Sequence, residues 1–196
     1  MKPEVPLEGK TIGFAMTGSF CTIPDALRQL EALAATGAEI VPIVSAAVSA
    51  TDTRFGTAAS IAETIVRVTG RAPIQTIAEA EPIGPKKLLD AMVVCPCTGN
   101  TLAKIANGIT DTPVTMAVKA HLRNKRPVVI AIATNDGLSA NAQNIGRLLN
   151  TRGLFFVPFG QDDPIQKNTS LVADNTLVVE TLGKALVCEQ LQPLLV

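Results

Sequence analysis

Apolar residues fall along this chain in short unbroken runs, separated by longer stretches in which they recur every third or fourth position. The first run, Lys10 to Met16 (KTIGFAM), stops at Thr17-Gly18-Ser19, and beyond it Ile23, Ala26, Leu27, Leu30, Leu33 and Ala34 repeat at helical spacing. The pattern predicts strand, tight loop, helix. Glu39 to Val44 (EIVPIV) predicts a second strand after Gly37, a helix C-cap, and Pro42 assigns that strand to an edge or a bulge because proline cannot donate to a ladder. A helix over Ala58 to Val68 follows. Residues 70–87 are rich in proline, glycine and charge, with a short strand at Pro73 to Ile77.

Asp90 to Cys95 then predicts a buried central strand ending at Pro96, followed by a helix over Leu102 to Ala106. A further helix is expected over Val114 to Asn124, with Thr112 as N-cap and Pro113 in the first helical position. Pro127 to Ala133 (PVVIAIA) is the next strand, and the polar loop Thr134-Asn135-Asp136-Gly137 leads to a helix over Ala140 to Asn150. A strand at Leu154 to Pro158 and a helix from Asn175 to Leu191 complete the chain. Strands alternating with helices, most strands continuously apolar, predict an α/β fold: one doubly wound parallel sheet, flavodoxin- or Rossmann-like, in a single domain over 1–196. Such sheets bind ligands beyond the carboxyl ends of their strands, where strand order reverses. Three loops therefore become candidates: Thr17 to Thr22, Cys95 to Thr101, and Thr134 to Gly137.

Composition narrows the partners. The 196 residues are 47% hydrophobic, enough for one full core, and 17 basic residues balance 17 acidic ones. Without a basic field, nucleic acid and anionic membranes are disfavoured against small molecules and proteins. The opening MKPEVPLEGK has no apolar run of signal length, and no segment has the roughly 18 apolar residues of a membrane span, so a cytoplasmic location is expected. Cys21, Cys95, Cys97 and Cys188 lack a paired CxxC spacing and are expected as free thiols, with no metal, since closed zinc sites want about four ligands. His121, between Lys119 and Arg123, is expected at the surface.

In the first loop, Gly18 permits close approach, Thr17, Ser19 and Thr22 offer hydroxyls, and the next helix presents free N–H groups; this suits a phosphate, or equally an ordinary N-cap turn. The spacing is neither GxGxxG nor a P-loop. Thr98, Gly99, Asn100 and Thr101 could line a planar heterocycle or cap a helix, and Asn135 could hold a carboxylate or a ring edge or form a turn. Arg54 could grip a dicarboxylate in bidentate fashion or pair on the surface. Phe159 to Pro164 is a solvated turn, a contact with a neighbouring protomer, or a cover for the cleft. No GxSxG elbow is present, which disfavours hydrolase chemistry, and no residue is singled out as catalytic.

The run from Pro96 through Gly99-Asn100-Thr101-Leu102-Ala103-Lys104-Ile105-Ala106-Asn107-Gly108 to Asp111 resembles the signature of the flavin-binding cysteine decarboxylases, a family that includes phosphopantothenoylcysteine decarboxylase, peptidyl-cysteine decarboxylases and flavin prenyltransferases. GKTIGFAMTGS, NTRGLFFVPFGQDDP and the ending LQPLLV extend the resemblance over nearly the whole chain to a sporulation branch of that family. The resemblance implies bound FMN, an assembly of trimers or their multiples, and, in that branch, oxidoreductase work with a separate partner chain that carries NAD(P). It also implies Thr17, Gly18, Ser19 and Ser45 at the FMN phosphate, and Thr98, Asn100 and Thr101 against the flavin or substrate. Asn135 corresponds to the asparagine of the decarboxylases' Pro-Ala-Met-Asn segment, which contacts a substrate carboxylate. Here that segment reads Ile132-Ala133-Thr134-Asn135, no tryptophan exists to follow it, and the single histidine comes after the Asn-Thr turn rather than near the early helices. A stand-alone decarboxylase or prenyltransferase, and a non-catalytic partner with a vestigial pocket, stand as alternatives.

Overall fold

The structure, a computed structural model, describes residues 6–196; the leaderless reading of MKPEVPLEGK concerns in part residues 1–5, which lie outside them. In order, the elements are β1 (Thr11–Met16), α1 (Ile23–Ala35), β2 (Glu39–Val44), α2 (Ala46–Ala50), α3 (Ala58–Thr69), α4 (Ile77–Ala80), β3 (Ala91–Thr98), α5 (Gly99–Ala106) and α6 (Pro113–Leu122). They continue with β4 (Val128–Thr134), α7 (Ala142–Leu149), β5 (Leu154–Phe156), β6 (Phe159–Gly160), β7 (Leu171–Ala173) and α8 (Val178–Leu186).

Five strands run parallel in the order β2-β1-β3-β4-β5, the flavodoxin-like order. β1, β3 and β4 are buried along nearly their whole length, so the absence of alternation in their sequences reflects helices on both faces. The two faces follow from handedness. The β1-to-β2 crossover moves one way across the sheet and the later parallel crossovers move the other, so right-handed connections send α1 to one side and α5, α6 and α7 to the opposite one. α1 packs with α8, and α5 with α6 and α7. Pro42 does lie on an edge strand; its carbonyl accepts from Ile74 N at 2.9 Å, and the strand expected at Pro73 to Ile77 shrinks to this single bridge. α6 opens as anticipated, with Thr112 and Thr115 in a reciprocal capping box and Pro113 in the first turn.

The sheet is mixed at its far side. β7 runs antiparallel to β4 at Ala133 and Thr134, β6 pairs with β7, and Phe159 exchanges hydrogen bonds with Leu194 and Val196. That pairing ties the ending LQPLLV into the sheet. These strands are two or three residues long, too short for periodicity to register. β5 keeps an edge that Gln190 covers: its amide oxygen accepts from Phe156 N at 2.8 Å and its nitrogen donates to Phe156 O at 2.6 Å. The last helix ends at Leu186, short of the expected Leu191. Among the described residues no helix is long and apolar enough to cross a membrane.

His121 corrects the expectation of a surface residue. It is fully buried, because Val114, Ala117, Val118 and His121 form the inner stripe of α6 at i, i+3, i+4 and i+7, while Lys119 and Arg123 lie off that stripe. His121 Nε2 lies 3.1 Å from Pro127 O and Nδ1 has no partner. Burial pulls its pKa down from 6.5 to about 4, against the opposing pull of the Pro127 carbonyl. The folded chain thus binds fewer protons than the unfolded one between these values, and stability is complete above pH 6.5 and falls as pH drops toward 4. Denaturant titrations from pH 7 to pH 4 should show a loss of roughly 3 kcal/mol from this group, and His121→Gln should flatten that slope.

Candidate functional site

Strand order reverses between β1 and β3, and one buried hydroxyl joins the two strand ends. The β1–β3 ladder stops at Ala15 and Val94; past it Thr17, 1% exposed, donates its hydroxyl to Pro96 O at 2.8 Å and accepts from Thr98 N at 2.9 Å. Thr17 N adds a bond to Pro96 O at 3.2 Å. β3 therefore runs on to Thr98 instead of ending at Pro96, with its register to β4 shifted between Val94 and Cys97. Thr98 then caps α5, accepting from Thr101 N at 3.3 Å and donating to Thr101 Oγ1 at 3.1 Å. The hydroxyls of Thr17, Thr98 and Thr101, all anticipated as ligand contacts, are bonded to one another and to backbone, and they shape the loops.

Other polar groups remain free at this end of the sheet. Ser45, which follows β2 and donates its N–H to Met16 O at 3.0 Å, has a buried Oγ with no hydrogen-bond partner. A Cβ on Gly18 would stand 2.9 Å from Ala47 Cβ, so the glycine lets the loop after β1 lie directly against α2, beside Ser45. Ser19 is half-buried and its hydroxyl makes no capping bond to the turn that follows it among the described residues. Asn100, on the first turn of α5, and Asn135, after β4, are exposed. The Asn135 carbonyl is held by Thr169 Oγ1 at 2.7 Å, whereas its side-chain amide is left outward. Arg54 rests over the Phe55 ring, 4.8 Å from its centroid, on the loop after α2.

Gly99 decides how closely the second and third loops meet. A Cβ there would fall 2.6 Å from Asn141 Nδ2 and 2.9 Å from Asp136 Oδ1. Asp136 accepts from the Thr134 hydroxyl and from Asn141 Nδ2 at 2.8 and 2.9 Å, and these bonds, Thr134 first, hold its carboxyl below the ordinary range. The chain of amides continues outward, Asn144 to Asn141 at 2.9 Å, Asn107 to Asn144 at 3.4 Å, and Arg147 to Asn107 at 2.9 Å. This network escaped the reading of the sequence, in which Asp136 is visible only as one polar residue of a loop. Lys104 and Asp111 of the signature pair with each other at 2.8 Å, stapling α5 to the turn after it. Cys95 and Cys97 are buried and burial pushes both thiols up, so they are protonated and inert; Cys21 and Cys188 are exposed. No three His, Cys, Asp or Glu side chains converge among the described residues. A cavity of about 700 Å³ opens near Leu122, Leu154 and Phe155, at the amino ends of β4 and β5, away from these loops.

The sequence profile of the Flavoprotein family matches residues 1–187. The chain belongs to the Flavoprotein family. The B subunit of dipicolinate synthase from Bacillus subtilis (strain 168) is 50% identical over 190 residues, 97% of this chain and 95% of that one. The crystal structure of the corresponding B subunit of dipicolinate synthase from Bacillus halodurans C superposes with a TM-score of 0.90 at 45% identity, covering 97% of each chain. An FMN-dependent UbiX-like decarboxylase from Escherichia coli O157:H7, a dodecamer, has a TM-score of 0.64 at 22% identity, over 90% of this chain and 92% of that one, a likeness of fold alone.

Within this Flavoprotein fold, removing the Thr17 hydroxyl leaves the Thr98 N–H without its partner and the Pro96 carbonyl with the Thr17 N–H alone. Thr17→Val should lose about 1–3 kcal/mol of unfolding free energy in urea titrations, and Thr17→Ser should keep most of it.

Proposed function

We propose that this chain is the flavin-binding component of a dipicolinate synthase. It holds FMN where strand order reverses and works with the A subunit of that enzyme, which carries NAD(P), to oxidise a dihydrodipicolinate-type precursor to dipicolinate. The setting is the mother-cell cytoplasm of a sporulating bacterium, and the assembly is a trimer or a multiple of one. The reading is carried by the 50% identity to the Bacillus subtilis protein, which spans 97% of this chain.

The residues suit the cofactor. Ser45 Oγ is a buried oxygen lacking a partner, and the bond from Ser45 N to Met16 O brings the residue beside the end of β1, where Gly18 and Ser19 follow; hydroxyls and backbone N–H groups are the donors a phosphate requires. Thr98 and Thr101 fix the floor beside it, and the Asn100 and Asn135 amides are free to meet carboxylates or the ring edge. Turning a dihydropyridine into an aromatic ring removes a hydride and a proton, and FMN, when bound, supplies an acceptor for the hydride. The chain's own contribution is orientation. Asp136, ionised and locked by Thr134 and Asn141, holds the turn that presents Asn135.

Dipicolinate formation by the purified NAD(P)-binding partner should require this chain and FMN; full activity of that partner in the absence of this chain would sink the reading. Ser45→Ala should weaken FMN binding about tenfold in a flavin-fluorescence titration, while unfolding free energy stays within about 0.5 kcal/mol.

A further inference from the structure

The segment between β6 and β7, residues 161–170, carries a cation to this same end of the sheet. β7 pairs Leu171 with Thr134, Thr169 Oγ1 donates to Asn135 O at 2.7 Å, and Leu138 N donates to Thr169 O at 2.9 Å, so the returning limb is fastened to the loop after β4. Gln161 Nε2 donates to Asn168 O at 2.8 Å and closes the base. Within it, Lys167 N donates to Asp163 O and Gln166 N to Asp163 Oδ1, a compact turn. The Lys167 ammonium lies 2.8 Å from Asp162.

A pyridine dicarboxylate needs positive charge, and the site described above offers hydroxyls, amides and the anion Asp136. Lys125, Arg126 and Arg152 precede β4 and β5 and stand at the opposite end of the sheet. Lys104 and Arg147 stand in the last turns of α5 and α7, away from the strand ends at which those helices begin. The loops that leave the carboxyl ends of the described strands carry two cations, Arg54 and Lys167.

We propose that Lys167 binds a carboxylate of the substrate, and that Asp162 occupies its ammonium until the substrate arrives. The inference rests on the dipicolinate reading and names a residue that determines its specificity. Asp162 sits between Gln161 and Asp163, whose hydrogen bonds with Asn168 O, Gln166 N and Lys167 N fix the turn, so the aspartate keeps its place when the lysine leaves. The lysine side chain is 55% exposed, and solvent screens exposed pairs of this kind enough for a ligand carboxylate to displace the partner.

A place-holder and a merely structural ion pair respond differently to substitution. In the complete enzyme, with FMN and the NAD(P)-binding partner present, Lys167→Gln should raise KM for the dicarboxylate about tenfold with kcat within about twofold, and Lys167→Arg should recover most of the loss. Asp162→Asn, which keeps the size of the side chain but frees the ammonium, should lower KM by about twofold to fivefold. Shifts in the same direction for Lys167→Gln and Asp162→Asn, or no shift in either, overturn the proposal. Wild-type turnover that does not need this chain overturns the dipicolinate reading instead. Turnover that needs the chain but ignores Lys167 overturns the role of the lysine alone.

Discussion

The Thr17 hydroxyl, bridging Pro96 O and Thr98 N, is the contact on which the rest of the site depends. A parallel sheet opens a crevice where its crossovers diverge, and the backbone there has lost its ladder partners. Here the loss occurs on β3, whose register to β4 slips after Val94. A buried side chain supplies one acceptor and one donor, and the loops after β1 and β3 become one rigid wall. Thr98 can then cap α5, and Gly99 can bring that helix against Asp136 and Asn141.

This arrangement sorts the polar residues of the three loops into two kinds. Thr17, Thr98, Thr101, Thr134, Asp136 and Asn141 satisfy one another and the backbone, so their hydrogen bonds maintain shape. Ser19, Ser45, Asn100 and Asn135 have side chains with no such claim, and Ser45 is the most telling, since a buried hydroxyl without a partner is costly unless something else fills the role. An ionised, internally bonded Asp136 next to the cleft also disfavours an anionic ligand unless a cation lies near, which links the electrostatics of the site to the β6–β7 segment.

Much of the framework was legible along the chain. Burial on both faces leaves unbroken apolar runs, so β1, β3 and β4 stood out; capping chemistry is local, so Thr112-Pro113 marked the start of α6 within a residue. Pro42 announced an edge strand or a bulge, because a missing donor restricts where a strand can sit, and β2 lies at the edge. Positions whose roles come from distant neighbours were misread. His121 looked polar between two cations, yet helical spacing from Val114 turns it inward. β6 and β7 are too short to carry a period, and they exist because β4 offers a free edge beyond the end of β5.

The sequence by itself determined the alternation of elements, the parallel sheet, the three loops at its carboxyl end and, through the run from Pro96 to Asp111, the kinship with flavoproteins. Those are properties of local pattern and of order along the chain. Tertiary structure alone decided which hydroxyls were engaged and which stayed free, because Thr17 and Thr98 meet across 81 positions, Asn135 and Thr169 across 34, and their pairing depends on how the strands are stacked. Residue type announces that a side chain can form a hydrogen bond; only the fold settles whether its partner is already within the protein.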